Sequence, residues 1–187
     1  MWLTEYGDLN DEDKTFENQW KKFSLAANRR ALTALNQGAT ALFYFDAFDD
    51  YEECARRLCY YGLFRSASHV YSPKKSYFAT RQLYHFVRPG SQRIATSAEV
   101  PGLTISAFTD ASTNSLIVVG VKEGGPNRLE VALPAGDEAP STWALYETTR
   151  NVNCMKTDSV TVQNGVAHID LPDEAVFTLV YTRNKSN

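Results

Sequence analysis

The chain has 187 residues, 43% apolar, 12% aromatic and 22% charged, a mixture that excludes intrinsic disorder and fits a globular protein. Its net charge of −3 offers no basic field to a phosphate backbone, so nucleic acid is not expected as a partner. No run approaches the roughly eighteen apolar residues of a membrane span, and an acid at Glu5 with no basic residue before it predicts no secretory signal.

The first predicted element is a short strand, Trp2-Leu3-Thr4, entering an acid-rich polar loop that runs from Glu5 to Asp13. From Thr15 to Gln37 the apolar residues Phe16, Trp20, Phe23, Ala27, Ala31 and Leu35 recur every three or four positions, the stripe of an amphipathic helix. Gly38 stands where a left-handed residue would end that helix. The run Ala39-Thr40-Ala41-Leu42-Phe43-Tyr44-Phe45 shows no polar alternation and predicts a parallel strand covered on both faces. A second helical pattern over Tyr51, Cys54, Ala55, Leu58 and Tyr61 stops at Gly62, and a third opens at Ser72-Pro73 and runs to Arg88-Pro89-Gly90. Strand–helix alternation with apolar strands implies right-handed parallel crossover units.

Beyond about residue 92 the hydrophobic period changes to two. Short runs at Leu103–Phe108, Leu116–Val121, Leu129–Leu133, Trp143–Tyr146, Val160–Val162, Val166–Leu171 and Val176–Tyr181 are separated by turn residues, with Gln163-Asn164-Gly165 as a hairpin turn. Such spacing predicts an antiparallel β-sandwich. Charge breaks near the same place: residues 1–95 sum to +2 and residues 96–187 to −5. Two domains are therefore expected, 1–91 and 92–187, the first α/β and the second all-β.

Three cysteines, Cys54, Cys59 and Cys154, make an odd number without C-x-x-C spacing, so neither a disulfide framework nor a zinc site is expected. Asp46, Asp49 and Asp50 offer oxygen ligands but lack the spacing of a calcium loop, and His69, His85 and His168 are isolated from one another. No metal and no cofactor are predicted. Lys74-Lys75 is expected on a solvated face, and the aromatics Tyr60, Tyr61, Tyr71, Tyr77, Phe78, Tyr84 and Phe86 mainly in the core. Where strands feed helices in a barrel, reactive groups sit at the strands' carboxyl ends. Glu5 with Tyr6 and Asp46 with Asp49 and Asp50 occupy such places. Composition and period alone favour the plainer reading, Glu5 as a solvated loop acid and the aspartates as caps or dipole partners.

Trp2-Leu3-Thr4-Glu5-Tyr6-Gly7-Asp8 resembles the seventh-strand segment of retaining glycoside hydrolases of clan A, family 30 above all, where a W-x-[ST]-E-Y-G pattern presents the nucleophile. Gly38 to Tyr51 resembles the eighth strand and its loop. Tyr61-Gly62-Leu63-Phe64, then Tyr71-Ser72-Pro73-Lys74-Lys75 and Phe86 to Ile94, resemble the last helix and its exit into a C-terminal sandwich. The resemblance implies the last two strand–helix units of a (β/α)8 barrel, with Glu5 as nucleophile, Tyr6 orienting it, and Phe45 or Asp46 contributing to the floor that binds sugar. It implies an oligo- or polysaccharide as ligand. The family's acid/base glutamate, at the end of the fourth strand, has no counterpart here, so the chain is expected to be inactive alone. Two parallel strands without their neighbours are expected to expose sheet edges and apolar surface, covered by a second copy or by a chain that supplies the rest of the barrel. The alternative function is a non-catalytic carbohydrate-binding or assembly module.

Overall fold

The computed structural model describes residues 1–8, 15–49, 60–67, 70–132, 142–163 and 165–182. Predicted features at Asp50, Cys54, Cys59 and His69 lie outside them, as does the helix expected from Tyr51 to Tyr61 except for its last two residues, Tyr60 and Tyr61, which are not helical. The chain divides into two compact units, Met1–Arg81 and Gln82–Asn187.

In the first unit, strand β1 (Trp2–Tyr6) pairs in parallel with β2 (Ala41–Tyr44). The connection between them is helical: α1 (Phe16–Asn18), a π-helical stretch (Gln19–Ala26) and α2 (Ala27–Asn36) follow without a break. Thr15 caps the start, its Oγ1 accepting from the Asn18 N–H at 3.1 Å. The end is a Schellman motif, as Gly38 predicts: at φ +94° its N–H donates to Leu35 O, and the Ala39 N–H donates to Ala34 O. The π stretch adds a residue per turn and rotates the apolar stripe, so Ser24 and Leu25 are buried beside Trp20 and Phe23 while Phe16 is left exposed.

The predicted coverage of both faces of the second strand is not observed. Trp2 and Phe43 are 69% and 52% exposed, with ring centroids 6.5 Å apart, because among the described residues β1 and β2 pair only with each other. The apolar sheet surface expected from the sequence is present on that face.

Ser72-Pro73 does not open a helix. Both residues belong to β4 (Val70–Pro73), which forms an antiparallel hairpin with β3 (Phe64–Ala67), and α3 begins later, at Lys75, running to Tyr84. Proline's fixed φ suits the edge of a two-stranded hairpin as well as a helix start, so the dipeptide did not discriminate.

The second unit is an eight-stranded antiparallel sheet. Its strands are β5 (Gln92–Ile94), β6 (Leu103–Asp110), β7 (Ser115–Glu123), β8 (Arg128–Ala132), β9 (Thr142–Thr148), β10 (Met155–Gln163), β11 (Val166–Asp170) and β12 (Glu174–Thr182). They lie in the order β5-β6-β7-β12-β9-β10-β11-β8. All seven predicted strands occur, and only short β5 was not anticipated. β10 pairs with β9 along most of its length and with β11 at its end, carrying the sheet around a corner. Ala107 and Val118 of β6 and β7 join Leu129, Trp143, Leu145, Val160, Ile169, Phe177 and Leu179 in one core, with Ile94 of β5 packed against it, so strands from both ends of that order meet. A cavity of about 630 Å³ confirms the curl, since β6 and β7 line it on one side and Leu129–Ala132 of β8 on the other. Gly120 stands opposite Phe177 in the β7–β12 register and leaves room for that ring: a Cβ there would lie 2.3 Å from it. The other face of the central strands is also buried, beneath Gln82 and Phe86. Gln82 Nε2 donates to Thr148 Oγ1 at 3.1 Å, the Thr178 hydroxyl bonds Gln82 at 2.8–2.9 Å, and the Phe86 ring lies 4.7 Å from Tyr146.

Candidate active site at the ends of the parallel strands

β1 and β2 run in the same direction, so their carboxyl ends lie together. The register carries a bulge: Leu3 faces Leu42 and Tyr6 faces Tyr44, leaving Thr4 and Glu5 opposite the single residue Phe43. A bulge redirects the side chains of the strand that bears it, and such irregularities concentrate beside functional sites. Thr4 and Glu5 are both exposed, and Tyr6 is buried, its ring edge-on to Tyr44 at 5.2 Å. The Phe45 N–H donates to Tyr6 O at 2.8 Å. Glu5, Tyr6, Phe45 and Asp46, the four residues singled out in the sequence, thus stand at two adjoining strand ends.

Each strand end is braced from behind. Arg30 of α2 donates through Nη1 to the Gly7 carbonyl and through Nη2 to Asp8 Oδ2 at 3.1 Å. Gly7 is a close-approach glycine, because a Cβ there would meet the Phe45 carbonyl oxygen at 2.9 Å. On the other strand the Phe45–Asp46 peptide is cis, Asp46 O accepts from the Leu63 N–H at 3.0 Å, and the Phe45 ring lies 6.4 Å from Tyr61. Phe45 and Asp46 are both half-buried.

Asp49, weighed in the sequence as a cap or ligand, is buried and salt-bridged: Lys74 Nζ lies 2.6 Å from its Oδ1, the two side chains being 2% and 1% exposed. The Gly62 N–H donates to the same oxygen at 2.9 Å. Burial pushes the Asp49 carboxyl above its usual range, against the opposing pull of Lys74, the Gly62 N–H and Arg65. The solvated face expected for Lys74 is therefore wrong. Its partner lies 25 residues away, a pairing that no local pattern displays. Arg30 was missed for the same reason, standing 22 residues from Asp8. Among the aromatics expected in the core, Tyr61 is buried but Tyr71 and Tyr84 are exposed. Among the described residues, no three His, Cys, Asp or Glu groups converge as a metal site. Among those residues, too, no helix is long and apolar enough to cross a membrane.

No protein-family profile matches the chain. Solved structures do match it. The catalytic domain of a family 30 xylanase C from Talaromyces cellulolyticus matches over 97% of this chain and 40% of its own, with a TM-score of 0.72 and 25% identity. A family 30 endoxylanase from Clostridium papyrosolvens matches over 97% and 42%, with a TM-score of 0.67 and 18% identity. A family 51 arabinofuranosidase from Xanthomonas axonopodis pv. citri matches over 96% and 40%, at 0.61 and 8%. The chain spans about two fifths of the length of these structures. The fold of this chain is that of part of a clan A glycoside hydrolase, as seen in the family 30 xylanases.

Proposed function

We propose that this chain is the nucleophile-bearing part of a retaining β-glycoside hydrolase, acting on a β-linked glycan of the xylan type, and that Glu5 is the nucleophile. The reading rests on one observation: Glu5 is exposed in the bulge at the carboxyl end of β1, beside the β2 strand end, in a fold shared with xylanases. The remainder of a (β/α)8 barrel would be supplied by the portion of the matched structures that this chain does not span. Its added strands would cover Trp2 and Phe43, and the antiparallel sheet would be the sandwich that follows the barrel. Residues 1–91 and 92–187 would then be the partial barrel and the sandwich.

In the complete site a Glu5 carboxylate oxygen attacks the anomeric carbon and the glycosidic C–O bond breaks. A second carboxylic acid, from the added part, protonates the departing oxygen. That group, now a base, takes a proton from water, whose oxygen displaces Glu5 and restores the anomeric configuration. Tyr6 fixes the Glu5 strand end by its buried ring. Phe45 offers a ring to the C–H face of a pyranose, and Asp46 an acceptor for sugar hydroxyls. Lacking the acid and the walls that hold substrate, this chain alone is inactive.

The test is a chimera in which residues 1–187 replace the matching region of the Talaromyces enzyme. Turnover of an aryl β-xyloside should vanish in Glu5→Ala and return with added azide, giving the α-glycosyl azide expected when the nucleophile has been removed. Turnover that survives Glu5→Ala without azide overturns the assignment. Hydrolysis by the isolated chain, abolished by Glu5→Gln, would overturn its inactivity.

A further inference from the structure

A buried ion pair is a poor way to gain stability, because two charges must leave water and an apolar pair of similar size often holds a fold as well. Its best-attested use is to enforce one arrangement over its competitors. The Asp49–Lys74 pair sits where an arrangement must be enforced. Starting from β2, the Asp46 carbonyl accepts from the Leu63 N–H at 3.0 Å, the Ala47 carbonyl from the Phe64 N–H at 2.9 Å, and the Asp49 N–H donates to Phe64 O at 2.9 Å. Leu63 O in turn accepts from the Lys74 N–H at 2.9 Å, and Lys74 Nζ donates to Tyr60 O at 3.0 Å. Ser66 Oγ closes the network on the Asp49 carbonyl. The two segments touch so closely at Gly62 that a Cβ there would lie 2.2 Å from the Phe48 carbonyl carbon. Among the described residues these bonds between 46–49 and 62–66 surround the Asp49–Lys74 ion pair.

We propose that Asp49 and Lys74 are a positioning pair that holds the β2 strand end, through Gly62–Phe64, in the one arrangement that presents Phe45 and Asp46 beside Glu5. The pair touches no substrate. The proposal rests on the reading of this rim as a sugar-binding site, and deepens it by naming what sets the rim's geometry.

The experiment measures amide hydrogen exchange by NMR on the full chain, together with a titration of xylohexaose into the chimera described above, in which the site is complete and Glu5→Ala prevents turnover. Two variants are compared with the parent: Lys74→Met, which strands the Asp49 charge, and Asp49→Asn/Lys74→Gln, which removes both charges and leaves groups able to hydrogen-bond. In the neutral double variant, exchange at Asp49, Leu63 and Phe64 should rise at least tenfold. Exchange at Ala31 and Leu32 of α2 should be unchanged, and the thermal midpoint should stay within a few degrees of the parent. Lys74→Met should show the same local pattern more strongly, and if it fails to fold the double variant decides. Parent-like exchange in the double variant overturns the proposal, and so does acceleration spread evenly into α2, which would make the pair a general stabiliser. The glycan arm is independent. Xylohexaose binding weakened tenfold in the double variant supports the link to the rim. A chimera with Asp49 and Lys74 intact that binds no xylohexaose, with the exchange result as expected, removes the sugar reading and leaves the positioning role standing.

Discussion

Tyr6 and Phe45 are joined by a main-chain hydrogen bond of 2.8 Å, from the Phe45 N–H to the Tyr6 carbonyl, one residue past the exposed Glu5. The bond separates two roles along three residues, since Tyr6 packs and Glu5 does not. Glu5→Gln should shift stability by no more than about 0.5 kcal/mol, as expected of an exposed site. Tyr6→Ala should cost about 3 kcal/mol by emptying the space beside Tyr44. Urea unfolding of the two variants checks both, and a large loss in Glu5→Gln would show that its carboxylate is structural.

Gln82 is wholly buried, with its amide between Thr148 and Thr178. Gln82→Ala removes two buried side-chain hydrogen bonds, leaving Thr178 its bond to the residue 82 carbonyl and Thr148 its bond from the Cys154 N–H, and should cost about 2 kcal/mol. Thr178→Val should cost less when made in the Gln82→Ala background than in the parent, because the two residues share one network. Denaturant midpoints of the four proteins measure the coupling.

Asp110 closes the β6–β7 turn, with Oδ1 accepting from the Ser112 hydroxyl at 2.7 Å and the Ser112 N–H at 2.8 Å. The Ser112 hydroxyl bond is the main cause holding its carboxyl below the usual value of 3.8, with the Ser112 N–H and Thr113 adding to it. A carboxyl depressed in the folded state contributes stability above its unfolded pKa and loses it as the pH falls through the folded value. Asp110→Asn should therefore flatten the stability profile below about pH 4, and Ser112→Ala should flatten it partly. Thermal midpoints measured from pH 2 to 6 would show this, and parallel profiles for parent and Asp110→Asn would contradict it.

Gly120 is fixed by the ring of Phe177 across the β7–β12 ladder. Gly120→Ala should cost about 1–3 kcal/mol by overpacking. Combined with Phe177→Leu, the pair of changes should cost less than the sum of the two singles, because shortening the ring vacates the space that the new methyl needs. Additive losses would mean that the ring and the glycine do not compete for that space.

The features legible in the sequence are those written locally. The Trp20–Leu35 stripe and Gly38 marked the connecting helix and its end, and period two located β6, β7, β9, β11 and β12. The strand-end placement of Glu5, Tyr6 and Asp46 was also readable, because parallel strands around one helix bring their carboxyl ends together, whereas Phe45 was singled out only through the family resemblance. Three features stayed hidden for physical reasons. The bulge that places Glu5 is a property of the pairing between β1 and β2, not of either strand. The Asp49–Lys74 and Arg30–Asp8 contacts join residues far apart in the chain. The hairpin β3–β4 has short strands, and a proline that fits a strand edge as well as a helix start.

β12 has a further consequence. It lies between β7 and β9 at the centre of the antiparallel sheet, yet it follows every other strand of that sheet in the chain. As the polypeptide leaves the ribosome, the β6–β7 and β9–β10 ribbons emerge first, each with one side of its ladder unsatisfied. The gap between them is filled only once residues 174–182 have emerged, so this sheet cannot close strand by strand in the order of synthesis.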